Sequence, residues 1–423
     1  MTFDHKNRKV DAFHQVIGNV EEHCSRLEYT NRDLVRIRHL GGIGLDNFLQ
    51  EVNYSYNGRR WLTRINDVLP AIASENTVSD DLFYMRINYN LADNDINAPS
   101  QKTGNIAKIT WQTLGEGKLN LYGFQYDFLD RITQSTYARE DGNGKEVTND
   151  FGTTYAYDLR GNITQLTRSG RIDDAIQLID SLDYEYLQAS NQIKQVTDES
   201  DAGTGIQKAC CVEEIEVDDM VNNDGTYHAN FRLNASSTVN GDNTVNYKAG
   251  EEIKLETGFS YKPNSGQSFL ARIEPCNDKK AYGFEDKTDL VDYNYDVNGN
   301  RIADPDKNIT IRYNYLDLPY QVDFGDGKII EWLYNADGTK LRKRVIQGGS
   351  EVLRQDYLGE FEYQNEQLEA IYHSDGRVIS KEDNSFEYQY NIIDNQGNTR
   401  VVFRNDGSDT PEIISKSAYY PYG

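Results

Sequence analysis

The sequence predicts an all-β protein, and three observations support that fold class. The 423 residues include 30 Tyr and 15 Phe, and Tyr favours the half-buried pleated surfaces of β-strands. Aromatic residues alternate at period two, as in Tyr293-x-Tyr295 and Tyr388-x-Tyr390, which is typical of strands. Asp- and Asn-led turn signals follow directly after these alternating segments. The sequence therefore predicts antiparallel strands joined by hairpins.

Composition excludes several other classes of protein. The chain carries 44 Lys+Arg against 68 Asp+Glu, a formal charge of −24, which argues against a surface that binds nucleic-acid phosphates. No stretch approaches the roughly 18 apolar residues of a membrane span. Disordered acidic chains are poor in aromatic residues, whereas this chain is rich in them. We expect two or three folded domains, without nucleic acid or a membrane span as partners.

A short pattern recurs along most of the chain. An aromatic residue is followed by Asp or Asn, then two or three residues, then Gly or Asn, and then Arg or Asn with an aliphatic residue. The copies at Tyr295, Tyr315 and Tyr334 are separated by 20 and 19 residues, the length of one hairpin. The clearest motif residues are Tyr126, Asp127, Tyr157, Asp158, Gly161, Asn162, Tyr295, Asp296, Gly299, Asn300, Tyr334, Asp337, Gly338, Tyr390, Asp394, Gly397, Asn398 and Arg400.

The chemistry of the pattern fits a hairpin unit. Each Asp or Asn side chain can accept hydrogen bonds from backbone N–H groups two residues on, which starts a turn. The Gly or Asn that follows tolerates the positive φ that tight hairpins require. Because one hairpin cannot bury its own apolar face, successive hairpins must stack. We therefore expect a long, spiralling antiparallel sheet.

These copies resemble the YD repeats of the RHS protein family. The segment 282–344 is the nearest match, with Tyr295-Asp-Val-Asn-Gly-Asn300 followed by Tyr313-Asn-Tyr-Leu-Asp-Leu-Pro319, in the order of RHS proteins of Bacteroidota. The segment 390–400, followed by Tyr420-Pro-Tyr-Gly423, resembles the opening of the RHS-associated core. The resemblance covers residues 1–205 and 280–423 and implies YD hairpins that wind into a partial β-solenoid or shell.

The resemblance also implies a function. In the family, the shell encloses a variable C-terminal effector, often a toxin, and the core segment plugs one end. In many members an aspartyl autoprotease cuts the C-terminal part free, and the family's cleavage region ends in an Asp-Pro-x-Gly-Leu motif. This sequence stops at Gly423 before such a motif, so we assign no catalytic residue and no effector. We expect a fragment of a polymorphic toxin, secreted or at the cell surface when full-length, although residues 1–10 contain no signal peptide.

Residues 206–277 depart from the repeat and predict a small inserted β-module. Short alternating segments such as Val245-x-Tyr247 are separated by glycines. Lys248-Ala-Gly250, Gly258-Phe259 and Pro275-Cys276 resemble the three-coathanger-stack module of secreted Bacteroidota proteins. The predicted domains are therefore 1–205 (first YD-repeat part), 206–277 (insert) and 278–423 (YD repeats and core opening). A spacer or wall-thickening role for the insert is favoured over a binding site.

Two local ambiguities accompany this assignment. The apolar spacing of residues 172–182 is helical, but the strict alternation of residues 182–186 predicts a strand from about Leu178. One of Cys210 and Cys211 can pair with Cys276 if the protein is exported, but free buried thiols are the favoured interpretation.

No motif predicts a catalytic centre, a metal site or a cofactor. The early histidines His5, His14, His23 and His39 lack the close spacing of a zinc site. A non-catalytic shell segment is thus the favoured function. The first alternative is a surface module that binds glycans or proteins, in which Trp61, Trp111 and Trp332 are the candidates for stacking on sugar rings. Burial of these tryptophans between strands is the favoured interpretation. The second alternative, a glycosidase, has no supporting motif.

Overall fold

The computed structural model describes residues 1–16, 20–44, 47–66, 81–141, 143–172, 175–200, 212–217, 225–236, 238–239, 243–249, 252–262, 267–273, 291–381 and 385–421. The chain forms two compact units. Unit 1 combines Met1–Glu199 with Lys287–Gly423, and unit 2 is Ser200–Asp286.

The first sheet of unit 1 is antiparallel and has 14 strands, which follow chain order apart from the short side strand β10. Its strands are β1 (Asp11–His14), β2 (Glu22–Tyr29), β3 (Val35–Gly44), β4 (Asn47–Tyr56), β5 (Leu62–Ile65), β6 (Phe83–Asn88), β7 (Lys108–Thr113), β8 (Leu119–Tyr126), β9 (Ile132–Asp141), β10 (Gly144–Glu146), β11 (Thr153–Tyr157), β12 (Ile163–Ile172), β13 (Ala175–Tyr186) and β14 (Ile193–Asp198). A single 3-10 turn, Asn94–Ile96, precedes β7.

The second sheet of unit 1 is also antiparallel and has 13 strands in chain order. Its strands are β22 (Asn294–Tyr295), β23 (Arg301–Asp304), β24 (Ile309–Tyr313), β25 (Pro319–Asp323), β26 (Lys328–Tyr334), β27 (Lys340–Gln347), β28 (Ser350–Leu358), β29 (Phe361–Gln364), β30 (Gln367–His373), β31 (Gly376–Ser380), β32 (Phe386–Ile393), β33 (Thr399–Asn405) and β34 (Pro411–Lys416). The prediction of antiparallel hairpins is confirmed.

The second sheet continues from the edge of the first. The backbone N–H of Asp292 donates to the carbonyl of Lys194 at 3.1 Å, and the Tyr295 hydroxyl donates to the carbonyl of Ile193 at 2.8 Å. Strands β14 and β22 are therefore neighbours in space, although the whole of unit 2 separates them in sequence.

Within the ambiguous segment, residues 175–182 are extended, so the predicted strand from Leu178 is confirmed and begins earlier, at Ala175. The pairing of β12 with β13 shifts at a β-bulge, where Arg168 opposes Asp180 and Ser169 opposes Leu178. Ile179 is the extra residue of this bulge and is buried. Because a bulge displaces the inward face by one residue, it accounts for apolar spacing that imitates a helix.

One core joins the beginning and the end of unit 1. Tyr390 and Ile392 of β32, with Val401 and Phe403 of β33, are at most 1% exposed. They pack in one cluster with apolar residues of the first sheet, including Leu40, Val52, Met85 and Trp111. The last strands of the chain thus complete the core that its first strands begin.

Unit 2 contains mainly parallel strands. Its larger sheet pairs β15 (Val212–Val217), β16 (Gly225–Ala235), β18 (Val245–Ala249), β19 (Glu252–Leu255) and β21 (Phe269–Ile273), and a second sheet pairs β17 (Thr238–Val239) with β20 (Ser260–Tyr261). Leu233, Val245 and Tyr247 form its fully buried centre. Cys210, Cys211, Cys276 and Pro275 lie outside the described residues, as does Gly250. Among the described residues, no α-helix is long and apolar enough to cross a lipid bilayer.

Candidate structural site: the row of clamped turns

The turn between β11 and β12 has the geometry that the sequence motif implies. One carboxylate oxygen of Asp158 accepts the backbone N–H groups of Arg160 at 2.8 Å and Asn162 at 2.9 Å. Its other oxygen accepts the Asn162 side-chain amide at 2.9 Å. Gly161 adopts φ +92°, which an L side chain rarely does. One side chain thus organises the whole turn.

The same arrangement recurs along unit 1. Asp127, Asp296 and Asp394 each accept two backbone N–H groups in this way, two and four residues on. Asn57, Asn314 and Asn335 do so with a side-chain carbonyl. The sequence motif includes Asp337 and Gly338, which lie in one turn. Asn335 opens that turn, and Gly338 has φ +87°.

The residue at the end of the turn holds the acid in its charged form. Desolvation alone would raise the pKa of the Asp127 carboxyl, but hydrogen bonds from the Arg131 side chain and from backbone N–H groups keep that pKa below its usual value. Arg131 Nε lies 2.7 Å from Asp127 Oδ2. The pKa of Asp296 is lowered in the same way, first by the backbone N–H of Asn300.

In many hairpins, a tyrosine at or just after the end of a strand joins the hairpin to the preceding one. The Tyr157 hydroxyl donates to the carbonyl of Ile132 at 2.7 Å, and Ile132 lies five residues after Asp127, which opens the preceding turn. We term the tyrosines with this type of hydroxyl-to-backbone bond the clamp tyrosines. They are Tyr29, Tyr56, Tyr89, Tyr126, Tyr157, Tyr186, Tyr295, Tyr313, Tyr334 and Tyr419.

Burial raises the pKa of three clamp tyrosines, Tyr186, Tyr295 and Tyr334, above the ordinary value of a phenol. A neutral tyrosine hydroxyl is a hydrogen-bond donor, which a backbone carbonyl requires. These three hydroxyls are thus donors across the whole physiological pH range.

Neighbouring turns also contact one another directly. The Asn300 amide donates to Asp317 of the next turn at 2.8 Å, and the Asn162 amide donates to Asn191 at 3.1 Å. The Arg131 guanidinium lies over the ring of the next clamp tyrosine, 4.4 Å from the centroid of Tyr157. The turns therefore form a row along one edge of the sheet.

Two aromatic residues of the sequence pattern occupy other positions. Tyr390 is buried in the core and its hydroxyl contacts Glu22, while the turn opened by Asp394 follows Ile393. Tyr315, from which the spacing was counted, is an 82% exposed turn tip, and Tyr313 is the clamp of that hairpin. The repeat is therefore two residues out of frame at Tyr315.

A buried ion pair, which the sequence does not predict, ties the last strands to the first sheet. Asp375 precedes β31, and its carboxylate contacts Arg38 of β3 and accepts the Ser25 hydroxyl of β2 at 2.8 Å. Burial alone would raise the pKa of Asp375, but the Arg38 charge and the hydrogen bonds from Ser374, Arg38 and Ser25 bring it to about 2. The carboxylate is therefore ionised at neutral pH.

Arg400 forms a second buried tie. Its Nε donates to Asp394 at 2.8 Å, and the two side chains are 7% and 1% exposed. The guanidinium lies 5.4 Å from the ring of Trp111 in the first sheet and 5.0 Å from that of Tyr419. The segment that resembles the core opening is thus anchored to β7.

The remaining sequence candidates have separate surroundings. Trp111 is buried, whereas Trp61 and Trp332 line surface cavities of about 610 and 320 Å³. Cys24 is a free, buried thiol whose pKa burial raises to about 12. In the part of the chain that the structure describes, no three His, Cys, Asp or Glu residues gather into a metal-binding group.

No protein-family model matches the chain, and no curated protein matches its sequence. Solved structures do match it. The crystal structure of TcdB2-TccC3 without its hypervariable C-terminal region gives a TM-score of 0.53 at 14% identity, covering 100% of this chain and 17% of that one. The Photorhabdus luminescens Tc holotoxin pore with the TccC3-D651A mutation gives 0.48 at 14% identity, covering 100% and 17%.

The chain thus spans 17% of the length of the first of these structures. At 14% identity the likeness concerns the fold alone. It supports the RHS-like β-sheet fold expected from the repeats. The Bacteroidota assignment and the motif roles of individual residues stay predictions.

Proposed function

We propose that the chain is a non-catalytic wall segment of an RHS-type polymorphic toxin, which encloses or presents a C-terminal effector in cis. One observation carries the proposal: the row of clamped turns extends over both sheets of unit 1, and the last strands pack into the core of the first. The fold likeness to TcdB2-TccC3, whose crystal structure lacks its hypervariable C-terminal region, supports the same function.

The wall would act by enclosure. A strand with unpaired N–H and C=O groups offers an edge to other chains, whereas a strand paired on both sides offers none. In unit 1, β2 to β9 and β23 to β33 each pair with a strand on either side. Such a wall excludes cellular partners from a cargo without any chemistry of its own. In this proposal the full-length protein is secreted or displayed at the cell surface.

The proposal is tested on the complete gene product. Sequencing the gene past the codon of Gly423 shows whether an effector is encoded, and a stop codon at that point refutes the cargo role. If the frame continues, limited trypsin digestion of the purified protein should leave the segment after Gly423 intact. Its rapid loss from an otherwise intact wall contradicts enclosure.

We further propose that residues 206–277 form an insert that thickens the wall and has no part in enclosing cargo. The backbone N–H of Asp292 donates to the carbonyl of Lys194, so β14 and β22, the described strands of unit 1 on either side of the insert, lie next to each other. Replacing 200–286 with Gly-Ser-Gly-Ser should leave the cooperative unfolding of unit 1 unchanged. Loss of the unit 1 transition contradicts this assignment.

A further inference from the structure

We propose that two copies of the chain dimerise through the tips of six consecutive turns of unit 1, with the two rows of turns antiparallel. The six turns are residues 127–131, 158–162, 187–192, 296–300, 314–318 and 335–339. They belong to the row of clamped turns along one edge of the sheets, and an exposed apolar ridge lies on them. Dimerisation of this kind does not require the enclosing role.

Bulky apolar side chains occupy the tips of four of these turns. Leu159 and Val297 are fully exposed, and Phe128 is 91% exposed. The apolar ridge consists of Phe128, Leu129, Leu159, Val297, Tyr315 and Leu316, with Tyr315 contributing its ring. The bonds that organise each turn come from the residue before the tip, as at Asp158, so the turn itself does not require an apolar tip. Exposed apolar side chains gathered in one place mark interaction sites.

The spacing of the tips fits a second row of the same kind. Neighbouring turns are held side by side, as by the bond from Asn162 to Asn191, and are two strands apart, about 9.6 Å. The gaps between successive tips therefore repeat at the same interval as the tips. Side chains that protrude at a fixed spacing pack into gaps of equal spacing, as ridges pack into grooves between helices. A second copy of this row provides that spacing.

The charges along the row favour an antiparallel arrangement. Arg160, in the second turn, donates to the carbonyl of Ser190 at 3.2 Å and pairs with no carboxylate of the described residues. Asp317, in the fifth turn, accepts the neutral side-chain amides of Asn298 at 3.0 Å and Asn300 at 2.8 Å. Both charged side chains are exposed. A two-fold axis between the third and fourth turns would place Arg160 of each copy opposite Asp317 of the other.

The size of the row is adequate for a specific dimer. Six turns at this spacing extend over about 48 Å. They contribute about 30 residues, which matches the roughly 20–30 residues that each partner supplies to a standard interface. Because a two-fold interface uses the same surface patch on both copies, every tip contributes twice.

The carboxylates at the tips favour a protein partner over a lipid bilayer. Asp130, Asp317 and Asp337 are exposed in the same turns as the ridge or next to them. Moving an unpaired carboxylate into an apolar medium is costly, whereas a second chain can supply a cation. We therefore assign the ridge to a second copy of this chain.

Sedimentation velocity of the whole chain over a series of concentrations tests the proposal. We expect a reversible dimer that forms as the concentration rises. Leu159→Asp should weaken dimerisation about tenfold at each of its two places in the interface, and so about a hundredfold overall. Because Leu159 is fully exposed in the single chain, this variant should keep the circular-dichroism spectrum of the parent chain.

Two further comparisons separate this interface from general stickiness. Val20→Asp is the matched control, because Val20 is 88% exposed and lies outside the six turns, and it should leave dimerisation unchanged. Arg160→Asp should weaken the dimer, and combining it with Asp317→Arg should restore it, since the swap re-forms each pair with the charges exchanged.

A chain that sediments as a monomer at every concentration overturns the proposal, as does a Val20→Asp variant that weakens the dimer as much as Leu159→Asp. Failure of the combined charge swap to restore a dimer that Arg160→Asp weakens overturns the antiparallel arrangement. Binding to phosphatidylcholine vesicles that Leu159→Asp abolishes, without dimers in solution, would also overturn the proposal and would indicate a lipid surface.

Discussion

Removal of a single clamp hydroxyl tests how the hairpins are held together. Tyr157→Phe deletes the donor that lies 2.7 Å from the carbonyl of Ile132 and keeps the ring that packs under Arg131. A typical intramolecular hydrogen bond contributes about 1 kcal/mol net to stability. We therefore expect Tyr157→Phe to lower the free energy of unfolding of unit 1 by about 1 kcal/mol.

The clamps of neighbouring hairpins are about two strand spacings apart, roughly 9.6 Å, so their effects should be nearly additive. Replacing Tyr126, Tyr157, Tyr186 and Tyr295 together by Phe should then cost about 4 kcal/mol. Tyr315→Phe is the matched control, because Tyr315 is 82% exposed and forms no hydrogen bond with a described residue. It should change stability by less than about 0.5 kcal/mol.

Urea unfolding followed by circular dichroism measures these differences, with the slope of the transition compared between variants to confirm that the same surface unfolds. The clamp hypothesis is refuted if Tyr157→Phe and Tyr315→Phe have equal effects. It is also refuted if the fourfold variant loses less than about 1 kcal/mol.

Three further predictions concern the turns and the ties between the sheets. Asp158→Ala should lower the free energy of unfolding in urea by about 1–2 kcal/mol, because three donors lose their acceptor. Asp158→Asn keeps Oδ1 and should lower it by less. Equal losses for the two variants would contradict the turn geometry. Arg400→Leu should cost about 3 kcal/mol because it leaves the Asp394 carboxylate buried without its cation, and the half-exposed Arg404→Leu is the control that should cost far less in thermal unfolding. Burial lowers the pKa of His373 to about 4, below the value of about 6.5 in an unfolded chain. The stability linked to this titration is therefore complete above pH ~6.5 and is lost as the pH falls towards 4. His373→Gln should reduce the slope of the unfolding free energy against pH in that window, and an unchanged slope would contradict the assignment.

The turns could be predicted from the sequence because their chemistry is local. In each, the acceptor and its donors lie within four residues, as Asp158 and Asn162 do. The helical spacing near Ile179 was also resolved correctly, because the alternation that follows it outweighs a bulge of one residue. The all-β fold class followed from the same local patterns.

The long-range contacts could not be predicted from the sequence. The Tyr295 hydroxyl donates to the carbonyl of Ile193, 102 residues away, and the Arg38–Asp375 pair joins positions 337 residues apart. No local pattern specifies such partners. The frame at Tyr315 differs from these contacts, because it has a local signal: Tyr313 directly precedes Asn314, which opens the turn, whereas Tyr315 precedes Leu316 and lies inside the turn.

A cryo-electron microscopy structure of the complete gene product would show whether unit 1 encloses a cargo. We expect residues 1–199 and 287–423 to form a continuous section of wall, with density for the segment after Gly423 on its enclosed side. A segment folded outside the wall, or β32 and β33 separated from the first sheet in the complete protein, would contradict enclosure.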